Sequence, residues 1–137
     1  SSVELFKGGV VPLEEFVRMP YDNDILVRLI VKKRPGAFAY QAVRKQRTDL
    51  PTLNCVAAKV GEEYRVVVGS RPARAMLLRD ERGILAGGIT EESAAAFADY
   101  AAGAVPVSGN MWGSAEYRRA LVPVLVRRTL LALGEVR

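Results

Sequence analysis

The hydrophobic period of this chain changes once, and that change limits what it can fold into. Between Asp24 and Gly69, apolar residues alternate with polar ones in short runs separated by Pro, Gly and polar clusters. From Thr90 onward they recur at helical spacing instead, with Ala94, Phe97, Ala98 and Ala101 on one stripe. A period of two turns one face of a strand to a core, and a period near 3.6 does the same for a helix. Strands first and helices after predict an α+β two-layer sandwich. The expectation is an antiparallel meander of three to four strands followed by two to three helices packed on one face.

The elements follow from local signals. Asp24 to Lys33 predicts a strand, with Arg28 and Lys32 on one parity and Ile25, Val27, Leu29 and Val31 on the other. Arg34-Pro35-Gly36 predicts a turn that leads antiparallel into a second strand, Ala37 to Val43. A basic loop, Arg44 to Asp49, precedes a third strand over Thr52 to Val60. Gly61-Glu62 predicts a tight turn into a fourth, Glu63 to Gly69. Ala73 to Leu78 is compatible with either more sheet or a helix. Thr90 is expected to cap a helix that Gly103 closes, and Gly113 or Ser114 to cap another running to about Leu133. Pro123 inside that last helix removes a donor and predicts a kink. Residues 1–23 read as a lead-in with a short helical turn, and 24–137 as a single domain.

Composition excludes several chemistries. The chain has no histidine, which removes the usual general base, the commonest metal ligand and every histidine-dependent triad. Cys55 is the only cysteine, lies in an apolar run and reads as a core thiol. The paired carboxylates Glu14-Glu15, Glu62-Glu63 and Glu91-Glu92 are sequence neighbours, which rarely converge on one substrate. Gly83, Gly87 and Gly88 are not followed by the Lys-Ser/Thr of a phosphate loop. With no signal-peptide pattern and no apolar run of membrane-spanning length, a cytoplasmic location is expected.

Charge is the remaining handle. The net charge is +5, and fifteen of the twenty basic residues are arginines, which favour fixed, forked contacts. Arg44 to Arg47 is either an anion-contacting loop, with Asp49 orienting its arginines, or simply solvated. Phe38 and Tyr40 share a parity; they are expected to face the core, with a base-stacking platform as the alternative. The pairs Arg118-Arg119 and Arg127-Arg128 lie on a helix, where neighbours diverge by about 100°. At least one arginine of a pair must therefore point toward protein or a partner. A small basic nucleic-acid-binding module is the second functional reading, with the interspersed acids counting against it.

One long run carries a resemblance. Gly113 through Leu130, read as Gly-Ser-Ala-Glu-Tyr-Arg-Arg followed by a later Arg-Arg pair, resembles the end of the FAD-binding (medium) subunit of molybdenum hydroxylases. That family includes xanthine dehydrogenase and aerobic carbon monoxide dehydrogenase. Pro12 to Phe16, Ile25 to Lys33, Phe38 to Val56 and Val68 to Arg74 are similar to family segments in the same order. The resemblance implies a CO dehydrogenase flavoprotein C-terminal domain-like fold and no catalysis by this chain alone. It implies FAD in the parent subunit, held mainly by an N-terminal FAD-binding domain, with iron–sulfur and molybdopterin subunits as further partners. Gln41 stands where the family's flavin-approaching lysine would be, and Lys45 where an arginine near the flavin would be. These two are the candidate cofactor-contacting residues that the resemblance implies.

Overall fold

A computed structural model describes residues 1–20 and 22–136. It divides into two compact units, Ser1–Arg34 and Pro35–Arg137.

The first unit is a small sheet with one helical turn. Strands β1 (Ser2–Leu5), β2 (Gly9–Pro12) and β3 (Leu26–Ile30) pair antiparallel in the order β2-β1-β3, and α1 (Leu13–Phe16) follows β2 directly. The expected lead-in is thus a hairpin. Its turn is held from a distance, because the Asp24 carboxylate accepts hydrogen bonds from the Lys7 and Gly8 amides. Those bonds keep the Asp24 carboxyl below its ordinary pKa, although desolvation opposes them.

The strand expected over 24–33 exists, but it does not open the meander. It pairs with β1, matching Leu29 to Val3 and Arg28 to Glu4. That register sets an apolar pair beside an ion pair, both favourable across strands. Residues 31–36, with Pro35 unable to donate to a ladder, connect the two sheets as coil. The parity expected to be dry is open here, since Val27, Leu29 and Val31 are all exposed.

The second unit is the two-layer sandwich. Strands β4 (Ala37–Val43), β5 (Leu53–Val60), β6 (Glu63–Gly69) and β7 (Met76–Arg79) form an antiparallel sheet in chain order. β5 and β6 are joined through Gly61-Glu62, with Val60 opposite Glu63. Gly61 takes φ of +62°, which the two-residue hairpin requires and a side chain would resist. Of the ambiguous stretch Ala73 to Leu78, the part from Met76 onward is strand, because β7 pairs with the edge of β6.

Helix α2 (Glu91–Ala104) packs on α3 (Ala115–Gly134), which packs on β4, β5 and β6. Thr90 Oγ1 accepts from the Ser93 amide while Ser93 Oγ accepts from the Thr90 amide, a reciprocal cap. Ser114 caps α3 through the Tyr117 amide, and the helix continues through Pro123 to Gly134. The core between the layers joins Leu53, Cys55, Ala57, Val66, Val68 and Leu78 of the sheet to Phe97, Ala101, Val122, Val126 and Leu130 of the helices.

Cys55 sits inside this core, and burial pushes its thiol up to about 11, opposed in part by its contact with the Thr129 side chain. At pH 8 the native thiol is protonated and covered. A thiol-reactive dye is expected to leave Cys55 unmodified in the native protein and to label it only in denaturant. Stoichiometric labelling at the native mixing rate would contradict the burial.

Candidate functional site

The second unit has two sheet faces of different character. Register places Leu53, Cys55, Ala57, Val66 and Val68 on the helix-facing side. The alternate residues Phe38, Tyr40, Val56, Val67 and Leu77 lie on the opposite side. Phe38 is 56% exposed and Tyr40 is 53% exposed. The expectation that these aromatics face the core is therefore overturned: the core parity of β4 belongs to Ala37, Ala39 and Val43. The small alanines leave room for the helices, and the large rings go to the other face.

The nine-residue connection from β4 to β5 borders this face. Arg44 donates to the Tyr40 hydroxyl at 3.2 Å, tying the start of the loop to the aromatic strand. Asp49 accepts from the Gln46 amide at 3.0 Å, so it closes the loop's own turn. Lys45, Gln46 and Arg47 are exposed. The two residues expected to contact a cofactor are separated by this geometry. Gln41 lies in the sheet, half-buried and opposite Cys55 on the helix-facing parity. Lys45 lies outside the sheet, in the exposed loop.

The loop is anchored at its far end by Arg118, the member of the first arginine pair that points toward protein. Arg118 is 1% exposed. Its Nε donates to the Thr52 carbonyl at 3.0 Å. One terminal nitrogen donates to the carbonyls of Ser108 and Gly113 at 2.9 and 2.8 Å, and the other to Asn110 Oδ1 at 2.8 Å. No carboxylate is among these partners; four oriented dipoles solvate the buried charge. A planar fork can reach all four acceptors from one position, which a lysine cannot.

These bonds join three segments: the start of β5, the loop before α3 and the first turn of α3. The Asn110–Gly113 turn closes on itself with two backbone hydrogen bonds and presents Met111 and Trp112 at its tip. Gly113 is needed there because a Cβ would come within 3.0 Å of Thr52 Cγ2. The signal available in sequence was the Arg-Arg pair itself, although burial of one member holds only for this pair, because Arg127 and Arg128 are both exposed. Arg119 is exposed. In the second pair, Arg127 bonds Glu91 on α2 at 2.6 Å.

Neither helix start fits a nucleotide diphosphate. Such a group needs free amides at a helix N-terminus. Here Thr90 and Ser114 side chains cap the amides, and Glu91, Glu92 and Glu116 add negative charge to the first turns. These two helix starts therefore do not fit the diphosphate of FAD. Among the described residues no group of three or more metal-ligating side chains is assembled. No helix among them is long and apolar enough to cross a membrane.

Comparison with known proteins places this architecture. No curated protein matches the chain. Among solved structures it is similar to quinoline 2-oxidoreductase from Pseudomonas putida 86. The TM-score is 0.74 at 17% identity, covering 98% of this chain and 52% of that one. It is also similar to carbon monoxide dehydrogenase from Hydrogenophaga pseudoflava, in a form lacking the Mo-pyranopterin moiety of the molybdenum cofactor. There the TM-score is 0.64 at 21% identity, covering 97% of this chain and 52% of that one. These likenesses show the fold, and the chain spans about half the length of the solved chains it matches. The model of the family described as CO dehydrogenase flavoprotein C-terminal domain matches residues 38–133, the meander and both long helices. The match takes in well over half of the sequence and includes the Tyr-Arg-Arg segment that carried the resemblance, so the chain belongs to the CO dehydrogenase flavoprotein C-terminal domain family.

Proposed function

We propose that this chain is the C-terminal part of the flavoprotein subunit of a molybdenum-containing oxidoreductase of the xanthine dehydrogenase type. In this reading it packs on an N-terminal FAD-binding domain. It also helps dock iron–sulfur and molybdopterin subunits, so that electrons pass from iron–sulfur clusters to FAD. The family match over 38–133 carries the proposal. The exposed Phe38 and Tyr40 beside the Arg44–Arg47 loop support it, because they give the second unit a partly apolar, basic-edged face.

The division of labour follows from the chemistry present. FAD, when bound in the parent subunit, supplies the redox chemistry; this chain supplies packing, one cation at Lys45 and one amide at Gln41. Lys45 is free to approach an anionic edge of the cofactor, and Gln41 can act only where the sheet end meets it. Residues 24–137 are proposed to move as part of that subunit, in the cytoplasm.

The isolated chain is expected to show no saturable FAD binding at micromolar concentrations, measured by flavin fluorescence and calorimetry. The flavoprotein subunit that contains it is expected to retain FAD. Lys45→Ala in that subunit is expected to weaken retention by roughly 5–30-fold, as for one charged hydrogen bond of about 1–2 kcal/mol. Micromolar FAD binding by the isolated chain would contradict the proposal. The internal bonds of Arg71, Arg118 and Arg127 count against the alternative of a nucleic-acid surface.

A further inference from the structure

One end of the second unit carries large apolar side chains that stand off the surface. Leu50 is 82% exposed, Met111 84% and Trp112 49%. They come from two loops, one between β4 and β5 and one before α3. Arg118 joins the bases of these loops by bonding both the Thr52 and the Gly113 carbonyls. Tyr117, half-exposed on the first turn of α3, flanks the same glycine.

Both loops are pinned. The Thr52 amide donates to the Val43 carbonyl at 2.8 Å, and the Ser108 amide to the Arg71 carbonyl at 3.0 Å. Asn110 Oδ1 accepts from the Trp112 amide at 3.0 Å and from Arg118 at 2.8 Å, so the buried clamp reaches the backbone of the tip itself. The ordering of these loops is therefore a cost of folding and adds little to the cost of a later association.

Cations stand beside the apolar tips. Lys45 and Arg47 precede Leu50, Arg119 follows Tyr117, and all three are exposed. The acids nearby are Glu116 and Asp49, and the Asp49 carboxylate closes its own loop's turn. Projecting Trp, Met and Leu side chains with cations behind them match the boundary of a bilayer. Apolar tips enter between headgroups and acyl chains, tryptophan is favoured at that depth, and cations meet anionic headgroups. A protein partner needs a cleft cut to separate projections, whereas a bilayer conforms to them.

We infer that this end of the second unit binds an anionic lipid surface. Leu50, Met111 and Trp112 are the inserted side chains, and Arg47 and Arg119 are the headgroup contacts. This goes beyond the proposed role in a flavoprotein and does not depend on it.

Trp112 is the only tryptophan in the sequence, so its fluorescence reports the tip directly. The probe is a vesicle of mixed phosphatidylcholine and phosphatidylglycerol, offered to the 137-residue chain and to the FAD-loaded flavoprotein subunit that contains it. In both, Trp112 emission is expected to shift to the blue, acrylamide quenching to fall, and the protein to float with the vesicles. Pure phosphatidylcholine is expected to leave all three unchanged, and added salt to release the protein. Arg47→Glu with Arg119→Glu is expected to weaken flotation by roughly tenfold or more while the melting temperature of the chain holds. Leu50→Ser with Met111→Ser is expected to weaken it by about tenfold and to keep the salt dependence. No shift with anionic vesicles, or an equal shift with neutral ones, would overturn the inference. So would an FAD-loaded subunit whose Trp112 is already shielded from acrylamide and unmoved by vesicles, because the tip then belongs to a protein contact. Vesicle binding by a chain whose subunit retains no FAD would overturn the functional proposal and leave this inference standing.

Discussion

Arg118→Ala is expected to destabilise the second unit by about 3–5 kcal/mol, or roughly 12–20 °C in melting temperature at ~4 °C per kcal/mol. The substitution removes four hydrogen bonds from a site that is almost fully closed to water. The carbonyls of Thr52, Ser108 and Gly113 and the Asn110 amide oxygen lose a donor, and a cavity replaces the side chain. Arg118→Lys separates charge from geometry. A lysine keeps the cation but can serve the Thr52 carbonyl and the 108–113 loop only in turn, so about half of the loss is expected to remain. Urea denaturation followed by far-ultraviolet dichroism measures both. Equal stability of Arg118→Lys and the parent would show that the charge alone matters, and a loss below about 1 kcal/mol for Arg118→Ala would remove the clamp from this account.

Phe97→Ala is expected to cost about 3–5 kcal/mol, by creating a cavity between the helix layer and the sheet. Phe97 is buried in the core with Ala94, Ala98 and Ala101 around it on α2. It meets Tyr100 edge to face, with ring centroids 5.5 Å apart and planes at 73°. Three of its neighbours on the helix are alanines, too small to fill the space. Phe97→Leu restores most of the volume and is expected to lose under about 1.5 kcal/mol. The same denaturation experiment distinguishes them, and a Phe97→Ala protein as stable as Phe97→Leu would show that the layer relaxes to fill the gap.

The sheet of the second unit was legible because its signals are local. Ala37–Val43 and Glu63–Gly69 are bounded by Pro, Gly or charged turns, and Gly61-Glu62 leaves one register open to β5 and β6. The reciprocal cap at Thr90 was also local, although its second partner is Ser93 and neither glutamate. What could not be read was the choice of partner. Alternation over Asp24 to Lys33 tells which residues share a face and says nothing of which strand lies alongside, so β3 was assigned to the wrong neighbour. The β1–β2 hairpin was hidden for a related reason: its turn is completed by Asp24, sixteen residues beyond Gly8.

The candidate site shows the same division. The Tyr-Arg-Arg segment carried the family resemblance in sequence, and its adjacent arginines left open whether one pointed toward protein or toward a partner. Nothing in the sequence pointed Arg118 at Thr52, sixty-six positions earlier, because that bond depends on how α3 crosses the sheet. Phe38 and Tyr40 were assigned to the core on the general tendency of aromatics to be buried. The alanines beside them, sized to receive the helices, decided the matter the other way.

The order of elements in the second unit also has a consequence for synthesis. All four strands precede both long helices in the chain, and the helices alone cover the inner sheet face. At ribosomal rates of roughly 5–20 residues per second, the end of α3 follows the end of β7 by about 3–10 s. During that interval Leu53, Val66, Val68 and Leu78 have no lid, and the edge of β7 is unaccompanied. The nascent chain therefore passes through a period in which its most adhesive surface is complete and its cover is not yet made. Slow translation through residues 80–133 lengthens that interval.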